Sequence, residues 1–392
     1  MDLKPRSSPP LNRHARAVRQ SGIRAIADLA AARRRDGLTV YPFHLGEPDF
    51  ATPAPITAAT VDALQAGHTH YPPNAGLPAL REAIAADLSR RYAARWTGDD
   101  VIVTVGACEA VSLALFACLE PGDDVVVPTP CWPNYLQIPT LLGAHIRQVP
   151  LPAENGYRLD PEHLLAAAGP RSKAILLSAP TNPTGAIVPP EAFRALLDGA
   201  RERGMWVIVD EIYHDIIYDD AWRGVLDEAR DDDALIYVNG FSKSYAMTGW
   251  RLGYLAAKGD VLGVMLRVHQ ALVTSVTSFV QHGALAAFQH ADVVQEMRDR
   301  YAQRRERVMA ALERAGLSSP LPLGGFYVFP RVPAAWGDGE AFARAILASH
   351  GVAVVPGSVF GDAHADRFRL CFACGDDQLD EGLEALIDAA TS

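Results

Sequence analysis

The chain has 392 residues, 49% of them apolar and 21% charged, a profile expected of a soluble globular protein with one large core and room for a second unit. Its formal charge of −10 argues against a nucleic-acid partner, which is usually met by a basic face. No run approaches the roughly 18 apolar residues of a membrane span, and the five cysteines form no regularly spaced disulfide framework, so a reducing, cytoplasmic setting is expected.

The opening stretch, "MDLKPRSSPPLNRHARAVRQ", is rich in arginine, serine and proline and reads as a leader running into a surface helix, with a faint likeness to an organelle transit peptide. A helix is expected from Ile23 to Arg35. From about residue 100, short β-rich runs alternate with helical stretches: "VIVTV" (101–105), "DVVVP" (124–128), "AILLS" (174–178), "MWVIVD" (205–210) and "ALIYVNG" (234–240). Strands that are apolar throughout and separated by helices predict an α/β fold, a mostly parallel sheet sandwiched by helices. Past about residue 290 a long charged helix leads to "GGFYVFPRV", another helix and "FRLCFA", the texture of a smaller α+β unit. The expected division is a large domain over 51–288 and a small one over 289–392, with residues 1–50 packing on the latter. Cys371 and Cys374 form a lone CxxC in an apolar run and read as core. His44, His214 and His282 have no partners at metal-ligand spacing, so no metal site is expected.

Ligands on such sheets bind at the carboxyl ends of the strands, and the chemically suggestive residues follow the runs. After "VIVTV" comes "GAC" and a helix expected to begin near Glu109. That is either a plain tight turn or a phosphate site at a helix N-terminus. After "AILLS", prolines and Gly185 hold Asn182 in a stiff loop. Asp210 ends the next run, where a carboxylate is costly to desolvate unless a cation or donor meets it, or unless it caps a helix. After "ALIYVNGF" come Ser242, Lys243 and Ser244, then Arg251. A lysine buried at converging strand tips loses its proton readily and becomes an amine for covalent chemistry. An amine, a carboxylate, amide and phenol donors and a phosphate cup together suit pyridoxal 5′-phosphate (PLP).

The ordered set "GEPDF" (46–50), "HYPPNAGLPALREAI" (70–84), "NPTG" (182–185), "DEIY" (210–213), "SKSYAMTGWRLGY" (242–254) and "FRLCFA" (368–373) resembles the class I/II aminotransferases, fold type I PLP enzymes, over nearly the whole chain. The resemblance implies catalytic roles for Lys243, Asp210 and Tyr213. Lys243 forms the internal aldimine and shuttles the α-proton, Asp210 pairs with the pyridinium nitrogen, and Asn182 and Tyr213 bond the phenolate oxygen. It also implies that Ala107, Cys108, Ser242 and Arg251 hold the phosphate and that Trp132 stacks on the ring. Tyr71 would reach the phosphate of a neighbouring subunit in a homodimer with shared sites. Arg369, with Asn182 and the backbone at Gly46, would clamp the substrate carboxylate.

The activity so implied is ping-pong transfer of the α-amino group from an L-amino acid to a 2-keto acid. Alternatives on the same scaffold are β-elimination, β-replacement or cyclisation; a PLP-bearing regulatory module lacks an added DNA-binding domain here. In the aspartate and prephenate branch a lysine often stands where this chain has Cys108, so a dicarboxylate donor is not expected to be bound in that branch's way. Arg24 is a candidate substitute, and residues 272–280 are candidate pocket lining.

Overall fold

The computed structural model describes residues 10–391 apart from Ala93 and Asp220. The first nine residues, and with them the start of the expected leader, lie outside the described part. Seven strands build the main sheet: β1 (Val101–Thr104), β2 (Asp124–Thr129), β3 (His145–Pro150), β4 (Ser172–Ser178), β5 (Trp206–Asp210), β6 (Leu235–Gly240) and β7 (Gly253–Ala257). Their order is β1-β7-β6-β5-β4-β2-β3, and β7 alone runs against both its neighbours. Burial on both faces explains the continuous apolar runs. Along β5, Val207 and Val209 join one core while Ile208 joins the other, on the opposite face.

Register places the chemistry. Ser178 at the end of β4 pairs with Asp210 at the end of β5, which pairs in turn with Val238 on β6. The tips of β4 and β5 therefore lie level while β6 runs two residues further, and the segments leaving them share one rim.

Three local expectations are corrected. The helix after β1 is Gly106–Cys118, so it starts three residues before Glu109, whose Oε2 reaches back to accept from the Val105 N–H at 2.5 Å. β3 was not expected because only Val149 of its six residues is buried, as befits an edge strand. β7 begins at Gly253, inside the motif "GWRLGY", and runs on to Ala257; the glycines at its start obscure a strand pattern.

A second, antiparallel sheet has the order β8-β10-β9, from β8 (Tyr327–Val328), β9 (Val355–Pro356) and β10 (Phe368–Cys371). The long helix Ala291–Arg314 and the C-terminal helix Asp376–Thr391 pack with it. The N-terminal helix Gly22–Arg35 buries Ile26 and Ala30 in the same core as Leu347, Phe368 and Leu386. Cys371 and Cys374 sit in that core as free thiols. Among the described residues no helix is long and apolar enough to cross a membrane, and no group of three metal-binding side chains occurs.

Candidate active site

The strand tips and β10 enclose a cavity of about 280 Å³. Of the twelve residues given site roles from the sequence, only Tyr71 fails to line it, being 87% exposed on the outer surface. Arg24 and residues 272–280 do not line it either, which removes them as pocket walls of this chain.

Lys243 follows β6 and points its Nζ at the Gly46 carbonyl, 2.6 Å away. Burial lowers its amine to about 8, with Arg369 and Arg251 pushing the same way against Cys371 and Glu47. Asp210 is 2% exposed and, among the described residues, has no ion-pair partner. It accepts instead from the Tyr135 hydroxyl at 2.8 Å and from the Ile212 N–H at 3.0 Å. Burial pushes its carboxyl up to about 6 against those two donors. A carboxylate so placed has an unmet demand for a cationic donor.

Arg369 arrives from β10 and is 1% exposed. Its Nη1 donates to Asn182 Oδ1 at 3.1 Å and its Nη2 to the His44 carbonyl at 2.7 Å, while the buried Nε has no partner. The guanidinium lies between the Tyr327 and Phe360 rings, 4.6 and 5.1 Å from their centroids. No carboxylate pairs with it among the described residues. A buried cation held only by carbonyl oxygens and aromatic faces is set to receive an anion.

At the opposite end, Gly106 takes φ +74 as the chain turns into its helix, and a Cβ there would stand 2.8 Å from Arg251 Nη2. Only glycine lets that guanidinium close on the helix N-terminus, where the N–H groups after Gly106 lack helical acceptors. Arg251 is itself left-handed, φ 55, ending the short helical turn Thr248–Trp250. Non-glycine residues hold that conformation where the surroundings demand it. Ser242, Ala107 and Cys108 complete this end; burial raises the Cys108 thiol, to which Asn134 donates at 3.4 Å.

Trp132 forms a side wall, edge-on to Tyr135 with centroids 5.4 Å apart. The Tyr213 hydroxyl lies 2.8 Å from that of Tyr327, and both rings are buried. Tyr135 and Tyr327 are the two polar contacts that the sequence did not reveal. Each is one aromatic residue in an apolar run; the faint signals were the proximity of Tyr135 to Trp132 and the paired glycines before Tyr327.

A cleft of this polarity, with a buried amine and a buried guanidinium, on a mostly parallel sheet flanked by helices, fits an aminotransferase. The sequence profile described as "Aminotransferase class I and II" matches residues 39–386, and the chain belongs to that family. It is 36% identical to an aspartate aminotransferase of Pyrococcus abyssi, covering 94% of this chain and 95% of the relative. Identity to a probable aspartate/prephenate aminotransferase of Thermus aquaticus is also 36%, over 97% and 99% of the two chains. Aspartate aminotransferase of Thermus thermophilus, solved with maleate, superposes with a TM-score of 0.93 at 34% identity, over 97% of this chain and 100% of that one.

Proposed function

We propose that this aminotransferase works with PLP held in the cavity described above, and that Lys243, Asp210 and Arg369 carry its chemistry. The observation behind this reading is that one cavity is lined by a buried amine and, among the described residues, a carboxylate with no cation and a guanidinium with no carboxylate. Those unmet demands fit the group: Asp210 would hold a protonated ring nitrogen, Tyr213 and Asn182 a ring oxygen, and Trp132 the ring face. The Gly106 turn, Ala107, Cys108, Ser242 and Arg251 would hold the phosphate. When bound, PLP supplies the aldehyde and the electron-accepting ring that make the α-proton of an amino acid removable.

The chain's residues do the rest. Arg369 fixes the substrate carboxylate with charge-assisted hydrogen bonds, and the Tyr327 and Phe360 faces hold the guanidinium flat for that contact. With its amine lowered to about 8, Lys243 has a neutral fraction near pH 7–8, so Nζ can take a proton from the substrate α-carbon and give it back. Asp210 keeps its partner nitrogen protonated, supported by Tyr135 and the Ile212 N–H.

The same reading includes a homodimer in which Tyr71 reaches the neighbouring site. Its support is the 87% exposure of Tyr71, together with the half-exposed Val61 and Leu64 on the helix that precedes it in the chain. The five free cysteines support a cytoplasmic setting. The two sheets and their separate cores support a large domain over 51–288 and a small one over 289–392 joined by residues 1–50.

The test is a half-reaction. PLP-loaded enzyme mixed with an amino acid and no keto acid should release one equivalent of keto acid per site and stop. Continued release, with free ammonia, would overturn the reading in favour of elimination.

A further inference from the structure

The cavity contains three cations, and each already has a task. Arg369 is the buried guanidinium suited to the substrate carboxylate. Arg251 closes on the Gly106 turn at the phosphate end. Lys243 is the reacting amine. Among the described residues lining the cavity there is no fourth. Of the rest of the lining only Asp210 is a charged residue type and it is an acid, while Ile23, Cys108, Trp132 and Thr248 are uncharged and burial raises the Cys108 thiol.

Two sources of a further cation lie outside that wall. Arg24 follows Ile23 on the helix Gly22–Arg35, but it is exposed and does not line the cavity. A second copy reaching in with the Tyr71 segment, residues 66–77, or with residues 272–280 would bring no lysine or arginine, the basic side chains of those stretches being His68 and His70 alone. A second carboxylate on the substrate would thus lose its water with no lysine or arginine left to compensate it. A hydrocarbon side chain in the same place gains from leaving water.

We infer that this site selects amino and keto acids with an uncharged, apolar side chain over dicarboxylates, with Cys108 as the position that sets the choice. The inference rests on the proposed substrate role of Arg369, and it separates this chain from the relatives named for aspartate.

The test is equilibrium binding of unreactive acids to the PLP-loaded enzyme by titration calorimetry. The probes are 4-methylvalerate, an apolar monocarboxylate, and succinate, a dicarboxylate. The expected result is at least tenfold tighter binding of 4-methylvalerate, and a Cys108→Lys variant that narrows or reverses the ratio by strengthening succinate. Arg24→Ala should leave both affinities unchanged. Tighter binding of succinate to the natural enzyme would overturn the inference, and its loss in Arg24→Ala would identify Arg24 as the overlooked cation. If succinate wins while the half-reaction still yields one equivalent of keto acid, only the side-chain preference falls. If neither acid binds and no amino acid is converted, the proposed function falls with it.

Discussion

Tyr135 donates its hydroxyl hydrogen to Asp210 Oδ2 across 2.8 Å, both residues being buried at the tips of neighbouring segments. That bond opposes the burial that pushes the Asp210 carboxyl up to about 6. Removing it in Tyr135→Phe raises the carboxyl further and weakens its hold on a protonated partner. A hydrogen bond to a charged group contributes about 1.5–3 kcal/mol, so kcat should fall roughly ten- to hundredfold. The acidic limb of the pH profile should move upward as well. An unshifted limb would mean that Tyr135 only fills space.

Lys243→Ala should abolish turnover, with a loss of roughly a thousandfold or more. The visible absorbance of cofactor joined to the protein should vanish while the far-UV circular dichroism is kept. Because burial disfavours the Lys243 charge, the cofactor-free variant should be no less stable at pH 7 than the natural chain, as read by Tm. Retained turnover would place the reacting amine elsewhere.

Arg369→Lys keeps a charge at the position but loses the fork that holds Asn182 and the His44 carbonyl together. The expected loss in kcat/KM is about 2–3 kcal/mol, roughly thirty- to a hundredfold, borne mostly by KM. Steady-state kinetics on one amino acid suffices. A change in kcat alone would argue against contact with the substrate carboxylate.

The Asp210 carboxyl gives the cofactor-free protein a pH signature. Its folded value, about 6, stands above the unfolded 3.8, so between those limits the folded state holds more of the proton. Stability from this group is therefore present below about pH 4 and is lost as pH rises through about 6, by up to about 3 kcal/mol. Asp210→Asn removes the titration. The Tm of the cofactor-free variant, minus that of the natural chain, should rise between pH 4 and 6 and then level off. A flat difference would show that Asp210 ionises freely in the fold.

The parts of the fold that were legible in the sequence are those whose burial is symmetric. β2, β4, β5 and β6 are buried along nearly their whole lengths, and each is a continuous apolar run followed by a chemically distinctive loop. β3 escaped because an edge strand keeps polar side chains, and the start of the helix at Gly106 because its end is fixed by Glu109 folding back rather than by a capping residue ahead of it. At the site, Arg369 was legible only through the motif "FRLCFA", whereas Lys243 and Asp210, charged groups ending apolar runs, announced themselves. Tyr135 and Tyr327 did not, since a tyrosine in an apolar run has the same pattern whether its hydroxyl is idle or engaged. Those two contacts exist only once β2, β5 and the second sheet meet.

The 2.6 Å contact from Lys243 Nζ to the Gly46 carbonyl joins the rim of the main sheet to the strip of chain that follows the N-terminal helix. In the role proposed for Lys243, one atom would serve as both reagent and fastener. With the nitrogen engaged in covalent work, that carbonyl would give up its donor, so the grip on the strip after the amino-terminal helix would change with the stage of the reaction.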